Sequence, residues 1–134
     1  LRGGPRVGAW LNARGANPWR SEWDDRRLEA LGHGLLDLAV ARRVEMVREE
    51  GLLCDYWITR RERAILRALD ELEAEMAKLA SPLSLAGLTI AVALDYLDFR
   101  FPESQWRQQH SALEALHAGW AGRASFVETA PPKV

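Results

Sequence analysis

The run PLSLAGLTIAVALDYLDFRFP, Pro82 to Pro102, decides the fold of this chain of 134 residues. Ser84 is a residue type that caps helix N-termini. Leu83 before it and Leu88 after it stand at the N′ and N4 positions of a hydrophobic staple. From Leu85 to Leu94 almost every side chain is apolar, whichever face of a helix it would occupy. A helix apolar all round has no side to give to water, so it belongs at the centre of a domain. The longest apolar stretch, Leu83 to Leu94, contains Ser84 and Thr89 and stops at Asp95, well short of the roughly 20 residues that span a bilayer. It reads as the buried helix of a soluble protein, followed by a break at Pro102 and a further helical turn through Trp106.

The neighbouring segments supply the helices that would cover it. Upstream, Asp55 is placed to cap a helix running to about Leu79, with Trp57, Ile65, Leu69, Leu72, Met76 and Leu79 as one apolar stripe and most charges off it. Before that, Ser21-Glu22-Trp23-Asp24 resembles a capping box with a shortened acid. It opens a long helix towards Glu50, with Gly51 suited to the C-terminal cap. Leu28, Leu31, Leu35, Leu38 and Ala39 recur there at helical spacing, and Gly32 and Gly34 point to a tight helix crossing. Two long amphipathic helices joined by a short turn predict an antiparallel pair. Downstream, Ser111-Ala112-Leu113-Glu114 reads as a full capping box before Leu113, Leu116 and Trp120, and Ser125 to Glu128 repeats the device for a last short turn. No strand pattern competes, so the expected fold is all-α, a bundle of about five helices over residues 21–134.

Residues 1–20 hold Gly3, Gly4, Pro5, Gly8, Gly15 and Pro18, a density of breakers that reads as a linker or arm. Its Trp10 and Trp19 are costly to leave in water and call for an apolar surface to lie against. The first residue is Leu1 rather than Met, which points to a chain that begins inside a longer gene product or follows processing. A formal net charge of −1 offers nothing to attract a phosphate backbone or an anionic membrane, so neither nucleic acid nor a membrane is expected as partner. Lys78 and Lys133 are the only lysines, and the arginines are interleaved with Asp and Glu as on a solvated helix surface. The single cysteine, Cys54, excludes an intrachain disulfide, and no signal-like stretch opens the chain, which fits a cytoplasmic setting.

Several segments together resemble the C-terminal domain of bacterial glutathione S-transferases. Pro82 to Pro102 looks like that family's buried sixth helix and following turn, LEALGHGLLDLA at Leu28 to Ala39 like the first helix of its C-terminal domain, and YWITRRERAILRALDELEAEM like the second. HSALEALHAGWAGRASFVETAPP looks like the closing helix, short turn and tail, and LRGGPR like the inter-domain linker. Two positions depart from the pattern. Gly87 stands where the family's capping box carries Asp, and GHG at Gly32 to Gly34 stands where many relatives have Ala-Asp-Gly.

The resemblance implies a glutathione transferase C-terminal-like bundle cut from a missing N-terminal thioredoxin-like domain, which would carry the activating residue and most glutathione contacts. Glutathione would be the co-substrate of the intact protein. This chain would supply one wall of the apolar co-substrate site and part of a homodimer surface, and alone would be inactive. The alternative is a non-catalytic helical module used for assembly. No catalytic residue and no metal ligand is assigned. Trp23, Arg27 and His33 on the first helix are the candidate substrate contacts, read against solvated arginines and a surface histidine. His110 and His117 are about 10 Å apart along a helix, too far to share a metal easily. Cys54 reads as a packing residue or a reactive thiol, and Trp57, Trp106 and Trp120 as core.

Overall fold

The structure of the protein, a computed structural model, describes residues 22–132. The arm at residues 1–20 and the Ser21 cap lie outside the described residues. Among the described residues there are five α-helices and no strand, as the apolar periodicities predict: α1 Glu22–Met46, α2 Asp55–Glu75, α3 Leu85–Arg100, α4 Ser111–Ala121 and α5 Ala124–Glu128. Single 3₁₀ turns follow α2 at Met76–Lys78 and link α3 to α4 at Pro102–Ser104 and Trp106–Gln108, with Gln105 between them at φ 46°.

The ends of the helices differ from the expected ones where tertiary groups compete with local ones. α1 stops at Met46 rather than near Glu50, because its last turn tightens into an i→i−3 bond from the Arg48 N–H to the Glu45 carbonyl, and Gly51 at φ 91° serves the following turn. α2 is capped by Cys54 rather than Asp55, without a side-chain hydrogen bond, and leaves its α-geometry before Leu79. Ser84 caps α3 as expected, its Oγ accepting the Gly87 N–H at 3.1 Å. The staple is weaker than its spacing promises, since Leu88 packs against the core while Leu83 is 62% exposed. Neither of the two later capping boxes forms. α4 has His110 as N-cap, and its first amides turn to another helix: the Glu73 carboxylate of α2 accepts the Ala112 N–H at 2.8 Å and the Leu113 N–H at 3.0 Å. α5 has Arg123 as N-cap, without a side-chain hydrogen bond, two residues before the expected cap Ser125.

α3 is the centre of the bundle. Ala86, Ile90, Ala91, Ala93, Leu94 and Leu97 are buried in a core shared with Leu28, Leu35 and Ala39 of α1, Leu69 and Leu72 of α2, and Leu113 of α4. The α1–α3 crossing is close because Gly32 has no side chain, so that a Cβ there would stand 3.1 Å from Ile90 Cγ1 and 3.2 Å from the Ile90 backbone nitrogen. Gly34 has open space instead and plays no part in the crossing. The Arg42 guanidinium lies 4.5 Å from the Phe101 ring centre, so α1 and α3 run in the same direction. Gly87 also admits a close approach. A Cβ there would meet the Pro82 carbonyl oxygen at 2.1 Å, and that oxygen accepts the Trp120 indole N–H at 2.9 Å.

Ion pairs set α1 against α2. Arg27 reaches Glu75 at 2.6 Å and Glu71 at 2.7 Å, Arg42 reaches Glu62 at 3.2 Å, and Arg61 reaches Glu45 at 3.1 Å. Early α1 thus meets late α2 and the reverse, the antiparallel pairing predicted from the short turn. The buried Glu45 carboxylate is held by Arg48 and Arg61, as a carboxylate out of water has to be. The buried Asp25 accepts the Ala80 N–H at 3.1 Å and fastens the start of α1 to the segment leading into α3.

Candidate functional site

A helix that is buried on most sides can show only a narrow stripe to a ligand, and on α3 that stripe is Val92, Asp95, Tyr96 and Phe99, spaced i, i+3, i+4, i+7. Together with Phe126 of α5 and Pro131 of the following segment these residues line an open cleft of about 220 Å³. The wall is built by what precedes it. Trp120 and Phe126 rings stand 5.7 Å apart and seat α5 on α4, which carries the chain after Glu128 along α3. The cleft is apolar and aromatic with one carboxylate in it, the composition of a small-molecule site in which few polar groups set orientation.

Behind that carboxylate is a polar network the sequence spacing did not reveal. The Asp95 Oδ1 lies 3.3 Å from Nε2 of the buried His117, whose Nδ1 lies 3.3 Å from the Arg107 guanidinium. Arg107 grips Asp98 through both nitrogens, and the Trp106 indole N–H donates to the same Asp98 carboxylate at 2.9 Å. Burial pushes the Asp98 carboxyl up, but the hydrogen bonds from Arg107 and Trp106 and the charges of Arg107 and His117 outweigh it, so the group is held below the ordinary aspartate value. The Arg107 guanidinium is raised in turn, first by its hydrogen bond to Asp98. His110 is buried in a separate place, between the Trp106 carbonyl at 2.6 Å and the Asp70 carboxylate at 2.9 Å. His110 and His117 each serve their own carboxylates, and no group of three or more metal-ligating side chains occurs among the described residues.

The three residues proposed from the first helix are not brought together. Trp23 is 81% exposed at the start of α1, and Arg27 is turned towards Glu71 and Glu75 of α2. His33 is exposed, with Glu29 as its neighbour at 3.7 Å. None of them lines the cleft on α3. Cys54 is half-buried beside Arg48, Trp57 and Arg61 in a shallow pocket of about 310 Å³. Trp106 and Trp120 are core as expected, but Trp57 is 46% exposed, because the stripe of α2 that meets the core begins only at Ile65. A larger groove of about 370 Å³ runs between Met76, Leu79, Leu83, Leu116 and Trp120, with no titratable side chain in its lining. Asp95 and Tyr96 were legible as a polar interruption at the end of an apolar run. His117 was not, since it stands 22 residues from its partner Asp95.

No helix among the described residues is long and apolar enough to cross a membrane. The family described as Glutathione S-transferase, C-terminal domain, matches residues 55–119. The chain is 31% identical over 111 residues to the uncharacterized GST-like protein YibF of Escherichia coli (strain K12), and this match covers 81% of the chain and 55% of that protein. A glutathione transferase family member from Pseudomonas fluorescens Pf-5, solved with bound glutathione, is 35% identical, with a TM-score of 0.83 over 95% of this chain and 66% of that one. A second structure of a family member from the same organism, with bound S-(propanoic acid)-glutathione, is 36% identical with a TM-score of 0.82, covering 95% of this chain and 69% of that one. A glutathione S-transferase from Methylobacillus flagellatus KT, with glutathione bound, is 29% identical with a TM-score of 0.81, over 92% of this chain and 66% of that one. The chain thus spans a little over half of the curated relative and about two thirds of the solved ones.

Proposed function

Because the chain belongs to the glutathione S-transferase family, as a C-terminal helical domain, we propose that it forms one wall of the apolar co-substrate site in a protein that conjugates glutathione to electrophiles. The observation that carries this reading is the cleft on α3, where Val92, Tyr96, Phe99 and Phe126 offer apolar and aromatic surface on a helix fixed by the whole core. Glutathione or S-(propanoic acid)-glutathione is bound in the solved relatives, which are longer than this chain. In this reading its thiolate is supplied by a preceding thioredoxin-like domain, and the electrophile lies against α3. Trp23, Arg27 and His33, exposed on α1, would meet the co-substrate or that domain, with Arg27 also paired to Glu71 and Glu75 of α2. The setting we propose is cytoplasmic.

The intact protein is proposed to be a homodimer through α1 and α2. The exposed Val44, Val47, Leu53, Tyr56 and Trp57 around the α1–α2 turn support a surface that gains from being covered. Sedimentation that finds only monomer at high concentration overturns this part.

The test of the main reading is turnover with glutathione and a generic electrophilic aromatic. Residues 1–134 alone should give none, whereas the polypeptide extended upstream of Leu1 should conjugate. In the extended protein Tyr96→Ala should lower kcat/KM about tenfold, the usual size of one lost apolar contact in a pocket. Turnover by the isolated chain, or unchanged kcat/KM in Tyr96→Ala, refutes it. An extended protein that assembles but never conjugates would instead establish the non-catalytic helical module.

A further inference from the structure

The cleft on α3 holds an ionisable side chain that an apolar wall does not need. Asp95 lies among Val92, Tyr96, Phe99 and Phe126 and is 43% exposed, so its carboxylate reaches the space that a ligand would occupy. It is held from behind, with Oδ1 at 3.3 Å from His117 Nε2, and its second oxygen has no partner among the described residues. The Arg107 guanidinium interacts with Asp95 by charge alone, because its hydrogen bonds to carboxylates are made to both oxygens of Asp98. Two carboxylates therefore share one guanidinium whose carboxylate hydrogen bonds all go to Asp98, which leaves the outer oxygen of Asp95 to the cleft. Three aromatic rings, Tyr96, Phe99 and Phe126, line the same cleft; the Arg100 guanidinium already lies 4.1 Å from the Phe99 ring centre, which leaves Tyr96 and Phe126 to attract an organic cation by their quadrupoles. A carboxylate and aromatic rings around one small cavity form a recognition set for an ammonium group carried on an apolar body.

We propose that Asp95 makes this cleft selective for small co-substrates that carry a protonated amine, with His117 as the residue that positions the carboxylate. The inference rests on the reading of the cleft as a co-substrate wall and adds the charge class of what it accepts. No covalent step is involved. An anionic ligand is disfavoured at the same place by the same charge.

Three single-ring probes that differ only in charge, benzylamine, benzyl alcohol and benzoate, test it by titration against the chain, followed by side-chain NMR shifts of Tyr96, Phe99 and Phe126. Benzylamine should bind about fivefold more tightly than benzyl alcohol, the scale of one half-exposed ion pair with ring contacts, and benzoate should bind most weakly. Asp95→Asn, which keeps the volume and a hydrogen-bonding oxygen, should bring benzylamine down to the level of benzyl alcohol and leave benzyl alcohol unchanged. His117→Gln should lower the preference without abolishing it, with circular dichroism confirming that both variants are folded. Equal binding of amine and alcohol, or a preference that survives Asp95→Asn, overturns the role of Asp95 and leaves the cleft reading standing. No shift of the three aromatic residues with any probe overturns the cleft reading itself, and the inference with it.

Discussion

Replacing Gly87 by alanine sets two physical effects against each other. Gly87 lies in the first turn of α3, and helix propensity alone favours alanine over glycine by about 1 kcal/mol. The geometry opposes this, because the added Cβ would sit 2.1 Å from the Pro82 carbonyl oxygen and 2.9 Å from its carbon. That backbone cannot step aside freely, since the same oxygen accepts the Trp120 indole N–H at 2.9 Å and Trp120 belongs to the core. Overpacking of this kind costs about 1–3 kcal/mol, and a buried donor left unpaired costs about 1–3 kcal/mol more. The clash wins. Gly87→Ala should destabilise the fold by about 1–5 kcal/mol, a fall in Tm of roughly 10 °C at the middle of that range for a domain of this size. Two controls calibrate it in the same urea and thermal melts followed by circular dichroism. Gly34→Ala, with open space around its Cβ, should stabilise by about 0.5–1 kcal/mol. Gly32→Ala, facing Ile90 at 3.1–3.2 Å, should destabilise by about 1 kcal/mol. A Gly87→Ala variant as stable as the parent would refute the reasoning, because it would mean that propensity decides at this turn.

Two further outcomes follow from the polar contacts. Glu73→Ala should destabilise the protein by about 1 kcal/mol through loss of the cap on α4, whereas Glu114→Ala, at the acid position of the local capping box, should change stability by less than about 0.5 kcal/mol; urea midpoints in the reverse order would restore the local box. The carboxyls of Asp98 and of Glu75, the latter lowered first by its hydrogen bond with Lys78 and then by Arg27, sit below their ordinary values in the fold. Their contribution is therefore present above the unfolded carboxyl values of about 4 and is lost as pH falls through the lower folded values. Urea midpoints should drop across that acid range and Asp98→Asn should flatten the drop, so an equally steep profile in the variant would remove Asp98 as a cause.

How much of this could be read in advance depends on how far apart the deciding groups lie. α3 was readable from its own residues, since the Ser84 cap, the apolar run and the Pro102 break are all local, and the Leu28, Leu35 and Ala39 stripe of α1 follows from helical spacing. The cleft was half readable. Tyr96 and Asp95 end an apolar run, but that Phe126 comes to face them depends on where α4 and α5 return. The α4 cap was misread for the same reason. Ser111 and Glu114 satisfy the local pattern, yet a carboxylate from α2 reaches the free amides first, and a group held rigidly by a packed helix loses less entropy on binding them than a side chain of the same turn.

Composition and periodicity alone thus determined an all-helical domain, its central helix and the antiparallel pair beside it, because each follows from where apolar side chains recur along one segment. The tertiary structure decided the rest: Gly87 as the residue that admits the Pro82 carbonyl, Glu73 as the cap of α4, and His117 as the support of Asp95. Each of these is a distance between groups far apart in the chain or a clearance between backbones. Such quantities are set by how packed helices come to rest, and no spacing along the sequence encodes them.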